Sequence, residues 1–181
     1  MKQTLVVYHS RSGHTRRVAQ ALAERLDADL DEIVVDTPRQ GPLGYALCAL
    51  EALMQCTPDL RRAAHDPARY SLVVIGTPVW FWSLSSPVHA WARRHVLAQP
   101  KLAFFCTMGG SGAERAFAQL EQTCGKTPQA TLALTEAQLA QDIAPALTRF
   151  VAELKREPAK KRAARKAVPP RRLRPAERAA R

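Results

Sequence analysis

The chain has 181 residues, 46% of them hydrophobic and 24% charged, enough for one α/β domain with a sizeable buried core. Its formal charge of +11 suggests nucleic acid until it is located: residues 155–181 carry 12 Lys/Arg against Glu157 and Glu177, while residues 1–154 carry 15 basic and 14 acidic side chains. The basicity belongs to a tail, and the remainder is nearly neutral.

The four cysteines, Cys48, Cys56, Cys106 and Cys124, show no CxxC spacing and no histidine in step with them. They suggest neither zinc ligation nor a disulfide framework, and a reducing compartment follows. The apolar run at residues 5–8 is too short for a signal-peptide core, and no stretch approaches the ~18 residues of a membrane span. A soluble, cytoplasmic protein is expected.

Residues 4–8 read as a buried strand, after which Val18, Ala19, Leu22 and Leu26 keep helical spacing on one face. A second strand is predicted over 30–35, closed by Asp36-Thr37-Pro38. The connection over 37–70 is unusually long, with a Pro/Gly turn (Pro38, Gly41, Pro42, Gly44) and a helix through Leu47, Leu50, Leu53 and Met54. A third strand follows over 72–75, then a helix over 87–97 with Pro87 in its first turn. A fourth strand over 102–106 leads to a helix over 113–124 ended by Gly125. A weaker fifth strand over 130–134 precedes a last helix over 136–154, interrupted early by Pro145. Apolar strands separated by helices imply a parallel sheet covered on both faces. Residues 1–154 are expected to form this domain. Residues 155–181, an Ala/Arg/Lys/Pro alternation, are expected to be a basic, disordered tail.

The first strand runs into His9-Ser10-Arg11-Ser12-Gly13-His14-Thr15. A turn needs one Gly or Asn, not two serines, a threonine and a glycine together. In an open parallel sheet, ligands sit beyond the carboxyl ends of the strands, and this segment lies there and opens a helix. Free N–H groups and the positive end of the helix dipole favour an anion, the hydroxyls add donors, and Gly13 permits close approach. A bound phosphate accounts for the surplus hydroxyls, where a mere helix cap would not require them. No GxxxxGK[ST] and no GxGxxG occurs, and no carboxylate stands between Lys2 and Glu24, as receiver domains would need.

The third strand is followed by Gly76-Thr77-Pro78-Val79-Trp80-Phe81-Trp82-Ser83, and the fourth by Thr107-Met108-Gly109-Gly110-Ser111-Gly112. An aromatic loop and a glycine loop beside a phosphate loop suit a ligand with a phosphate tail and a flat heteroaromatic ring, a description that fits FMN. Here the sequence resembles the flavodoxin family: VVYHSRSGHTRRVA is similar to its phosphate-loop signature, and GTPVW and CTMGGSG to its two ring-side loops. The resemblance spans roughly residues 2–150. It implies a doubly wound, five-stranded parallel sheet in the order 2-1-3-4-5 with helices on both faces, and non-covalent FMN. Ser10, Arg11, Ser12, Gly13, His14 and Thr15 would hold the phosphate. Pro78, Val79, Trp80 and Phe81 would flank the isoalloxazine, and Thr107, Met108, Gly109 and Gly110 would meet its other edge. Whether Trp82 faces the ring stays open, as does the role of His9.

Other residues have plainer readings. His65, His89 and His95 are expected on helix surfaces, and Cys48 and Cys106 as small buried hydrophobes. Gly109-Gly110-Ser111-Gly112-Ala113 departs from a GxSxG nucleophile elbow at its last position. No side chain is needed as acid, base or nucleophile, because the flavin performs the electron chemistry. The resemblance implies an FMN-dependent oxidoreductase or electron-transfer protein. Its partners would be a redox protein or a small acceptor such as a quinone, with NAD(P)H as a donor. The contrasting reading is a scaffold whose basic tail binds nucleic acid or an acidic surface, although the tail lacks aromatics for base stacking. Oligomeric state is not legible. Residues 76–94 and 106–113 contain no Asp or Glu, unlike the acidic flavin surroundings of the electron carriers in this family.

Overall fold

The computed structural model describes residues 3–35, 60–61, 64–95 and 101–156. In chain order these form β1 (Thr4–Tyr8), α1 (His14–Leu26), β2 (Asp29–Glu32), a 3-10 turn (Pro67–Arg69), β3 (Leu72–Trp80), β4 (Ser83–Leu84) and α2 (Ser86–His95). They continue as β5 (Leu102–Met108), α3 (Ala113–Cys124), β6 (Thr131–Thr135), α4 (Glu136–Leu139) and α5 (Ala144–Lys155). The helix expected through Leu47–Met54 and the tail from residue 157 onward lie outside the described residues.

The sheet runs β2-β1-β3-β5-β6, all parallel, with β4 paired antiparallel to β3 alone. This is the expected five-strand order, with one short hairpin strand added between its third and fourth members. Alternation along β1 sends Val6 and Tyr8 to one face and Leu5 and Val7 to the other. The first pair packs with Val18, Ala19 and Leu22 of α1 and Leu147 and Phe150 of α5. The second packs with Val88 and Trp91 of α2 and Leu120 and Cys124 of α3. Two buried layers thus clamp one sheet. Close packing at its centre is set by Gly76, where a Cβ would stand 2.1 Å from the Phe105 ring.

Several boundaries differ from the sequence-based expectation, each for a local reason. β2 leaves the sheet after Glu32 rather than reaching Val35. The Ile33 N–H still donates to Tyr8 O (2.7 Å), but its carbonyl accepts from the His9 ring (2.8 Å), which ends the ladder. β3 runs five residues past Ile75, through Gly76-Thr77-Pro78. His9 N donates to Gly76 O, so the alternation aims Pro78's missing N–H toward the side where β1 has already ended. β3 pairs β5 as far as Pro78–Thr107. The last helix is two: α4 is closed into a capping box by Thr135 and Gln138, and Pro145 lies in the first turn of α5, which it starts rather than interrupts.

Candidate functional site

The carboxyl ends of β1, β3 and β5 emerge side by side at the middle of the sheet, and each runs directly into one of the three motifs. Beyond β1, Gly13 is the N-cap of α1 at φ 91°, and no atom lies within 4 Å of where a Cβ would stand. A left-handed residue with open space before it is a place for glycine and for a ligand. Ser10 Oγ accepts from the Arg16 N–H (3.2 Å), which satisfies one first-turn donor and leaves the Ser10 proton to give. The N–H groups of His14 and Thr15 have no carbonyl four residues back within the helix.

No acidic side chain stands in that first turn. Its two cations are directed elsewhere. Arg16 forms a two-pronged ion pair with Glu32 (2.7 and 3.0 Å), and Arg17 donates to Leu139 O (2.8 Å). The cradle therefore rests on N–H groups, hydroxyls and the helix dipole, a donor set that suits an oxyanion. Arg11, Ser12 and His14 are exposed at its rim, and Ser10 and Gly13 are half-buried.

Thr15 is different. It is buried, and its Oγ1 lies 2.8 Å from Thr107 Oγ1 at the end of β5, a pair 92 residues apart in sequence. Two hydroxyls own two protons and share one between them, so one proton remains to donate outward. The bond ties the first motif to the third.

The aromatic motif is a tight hairpin rather than a loop. Val79–Leu84 and Trp80–Ser83 pair across a two-residue turn in which Phe81 (φ 48°) and Trp82 (φ 56°) are both left-handed. Such turns normally carry Asn-Gly, and bulky residues there are strained. Trp80 is buried against His9, its ring centroid 5.6 Å away at 88°. Phe81 and Trp82 are 50% and 60% exposed, the two large apolar side chains that stand out from the described surface. Pro78 and Val79 are half-buried. The return leg is pinned by Thr77, whose Oγ1 donates to Pro78 O (2.9 Å) and accepts from Ser85 Oγ (3.0 Å).

Hairpin and glycine loop meet. Trp82 Nε1 donates to Ser111 Oγ (2.8 Å), and Gly112, at φ 106°, lies so close that a Cβ would stand 2.7 Å from Trp82 Cα. Met108 is half-buried, while Gly109 and Gly110 are exposed with no atom within 4 Å of a Cβ position. Three strand-end motifs thus form one continuous rim: a donor-rich cradle, an aromatic hairpin and an open glycine loop.

The sequence reading left His9 open and did not single out Thr77, Ser85, Ser111 or Gly112 for the rim. His9 Nδ1 donates to Ile33 O, because a carbonyl can only accept, which leaves Nε2 as an acceptor. Burial holds His9 below the usual imidazole range, so it is neutral at pH 7. Ser111 sits inside the glycine motif, but its bond to Trp82 spans 29 residues and has no local signal. His65 is not on a helix: its N–H and Nδ1 both meet the buried Asp31 carboxylate (2.9 and 2.8 Å). His89 and His95 do lie on α2, each partly buried. Cys106 is buried as expected, and burial pushes its thiol up to about 12. Among the described residues no helix is long and apolar enough to cross a membrane.

A family model described as Flavodoxin matches residues 3–151. Among solved structures, a flavoprotein from Lactobacillus acidophilus in complex with FMN is 20% identical, with a TM-score of 0.64 over 77% of this chain and 97% of its own. A Bacteroides eggerthii protein is 18% identical (TM-score 0.69, 86% and 100% covered), and one from Bacteroides uniformis 19% identical (TM-score 0.69, 83% and 98%). No curated protein matches.

Proposed function

The chain belongs to the flavodoxin family, and from that premise we propose that it binds FMN non-covalently across the β1, β3 and β5 ends and acts as an oxidoreductase. NAD(P)H or a protein donor would supply electrons, and a small acceptor such as a quinone would receive them. The observation that carries this reading is the continuity of the rim, whose cradle, hairpin and glycine loop are joined by Thr15–Thr107 and Trp82–Ser111. FMN, when bound, supplies the one- and two-electron chemistry, and no side chain is required to do so.

The residues present fit that group. In this reading the phosphate is held by Ser10, Ser12, the first-turn N–H groups and the outward Thr15 hydroxyl, with Arg11 and His14 at the rim and Gly13 admitting close approach. Pro78, Val79, Trp80 and Phe81 line one side of the ring, and Thr107, Met108, Gly109 and Gly110 face its other edge with backbone groups. Trp82 is held through its indole N–H by Ser111, so its part is to fix the hairpin. His9, kept neutral, braces Trp80 without adding charge beside the ring.

The 1–154 unit is proposed as the functional domain and 155–181 as an appendage to it. Absorption spectroscopy of the purified protein tests the assignment: a yellow protein whose flavin is released by heating supports it. Anaerobic reduction by NADH or NADPH, with and without quinone, then separates enzyme from carrier. A colourless protein that takes up no FMN and instead binds nucleic acid in a salt-dependent way would overturn it in favour of a scaffold.

A further inference from the structure

On the face of the sheet away from α1, a cavity of about 400 Å³ opens between α2 and α3. Ser86, His89 and Arg93 line it from α2 at i, i+3 and i+7, and Gln119, Gln122 and Thr123 line it from α3 at i, i+3 and i+4. Facing stripes at these spacings are where two helices ordinarily interdigitate apolar side chains. Here both stripes are polar, and the helices enclose space instead.

Three features give the space a chemistry. The Ser86 hydroxyl is buried, with 2% of the residue exposed, and it has no hydrogen-bond partner among the described residues. An unpaired buried hydroxyl is destabilising unless something binds it. The lining holds Arg93 and His89 but no carboxylate. Of the remaining polar groups, Gln119 adds donors. Gln119 Oε1 already accepts from the Leu84 N–H (2.8 Å), which leaves its two amide N–H groups to donate, whereas Thr123, whose proton goes to Gln119 O (2.7 Å), offers only lone pairs. A ligand that meets Arg93, the Ser86 hydroxyl and the Gln119 amide must bring acceptors and negative charge. The volume lies at the lower end of the ~300–1,000 Å³ typical of small-molecule sites, more than one inorganic ion fills.

We propose that the α2–α3 cavity is a binding site for a small organic oxyanion, a phosphate ester or polycarboxylate, with its charged group held by Arg93 and the Ser86 hydroxyl and its body against Gln119. The site is separate from the flavin rim. Its mouth adjoins Leu84 at the foot of the hairpin, whereas the phosphate cradle lies beyond β1. It does not depend on the FMN assignment.

The test is an NMR titration of the full-length protein, saturated with FMN so that the cradle is filled, at constant ionic strength. Glycerol 3-phosphate and citrate are the two probes, and sodium chloride is the control. Saturable amide shifts on Ser86–His95 and on residues 119–123 are expected with at least one probe, and the stronger of the two identifies the head group. Arg93→Glu should weaken that probe about tenfold or more, the loss of one charge-assisted hydrogen bond plus repulsion. Ser86→Ala should weaken it about threefold to tenfold, with the absorption spectrum unchanged in both variants. If the protein takes up no FMN, the same titration is read at the α2–α3 amides alone, so the two proposals fail separately. Shifts confined to residues 10–16, no saturable shift with either probe, or an Arg93→Glu variant that binds as tightly as the parent would each overturn the site.

Discussion

Gly112 and Gly109 lie three residues apart in the same loop, yet the structure demands opposite responses to an added methyl group. At Gly112 two costs add. The backbone stands at φ 106°, where an L side chain is strained by roughly 1–2 kcal/mol, and a Cβ would meet Trp82 Cα at 2.7 Å and Val79 Cγ1 at 2.9 Å. One of those neighbours is main chain, so relief requires the whole hairpin to move. Overpacking of this kind costs roughly 1–3 kcal/mol. Gly112→Ala should therefore destabilise by about 2–5 kcal/mol, which at about 2–4 °C per kcal/mol for a chain of this size lowers Tm by roughly 4–20 °C. Gly109 has no atom within 4 Å of its Cβ position and no positive φ. Gly109→Ala should be neutral or stabilise by up to ~1 kcal/mol through the unfolded state. Thermal unfolding of both variants followed by circular dichroism, without added ligand, decides it. A Gly112→Ala protein within ~0.5 kcal/mol of the parent would refute the claim that this glycine sets the approach of hairpin to loop.

Gly13→Val should abolish or severely weaken FMN binding in a flavin titration, because a β-branched residue resists φ 91° and fills the cradle. Ser12→Ala should cost less, about 1.5–3 kcal/mol, and unchanged affinity in both would remove the phosphate assignment. Thr107→Val strands the buried Thr15 hydroxyl and should cost about 1–3 kcal/mol of stability by denaturant unfolding, with flavin affinity lowered as well. A chain ending at Glu157, just past α5, should keep its flavin spectrum and its Tm, and loss of either would make the tail part of the domain. Residues 76–94 and 106–113 lack carboxylates, and each negative charge missing ~10 Å from the flavin removes about 1.7 kcal/mol of repulsion at an effective dielectric of ~20. Spectroelectrochemistry should find a second-electron potential less negative than that of acidic flavodoxins, and a value equally low would contradict this.

What the sequence made legible was chemistry confined to a few neighbouring residues. The hydroxyl surplus from Ser10 to Thr15 marked the turn that opens α1, and the apolar period with Gly125 marked α3 to the residue. Pairings across long separations left no such trace. The strand expected over 72–75 runs on through Pro78, which has no N–H to give, because β1 ends early and lets β3 continue to Trp80. Phe81-Trp82 carries no hairpin signal, since a Phe-Trp turn with both residues left-handed stands on contacts to Ser111 and Gly112 some thirty residues later. Thr15 looked like one more hydroxyl for the phosphate, and its bond to Thr107 appears only when β1 and β5 flank β3.

That bond also has a direction. Either threonine can give its proton to the other. In the proposed FMN complex an anion seated over α1 would remove the ambiguity: Thr15 would turn its proton to the anion, and Thr107 would then donate to Thr15. Thr107 would then offer the proposed ring side only lone pairs. Occupancy at one end of the rim would thus be written at the other as the sign of a single dipole, without any atom heavier than hydrogen having to move.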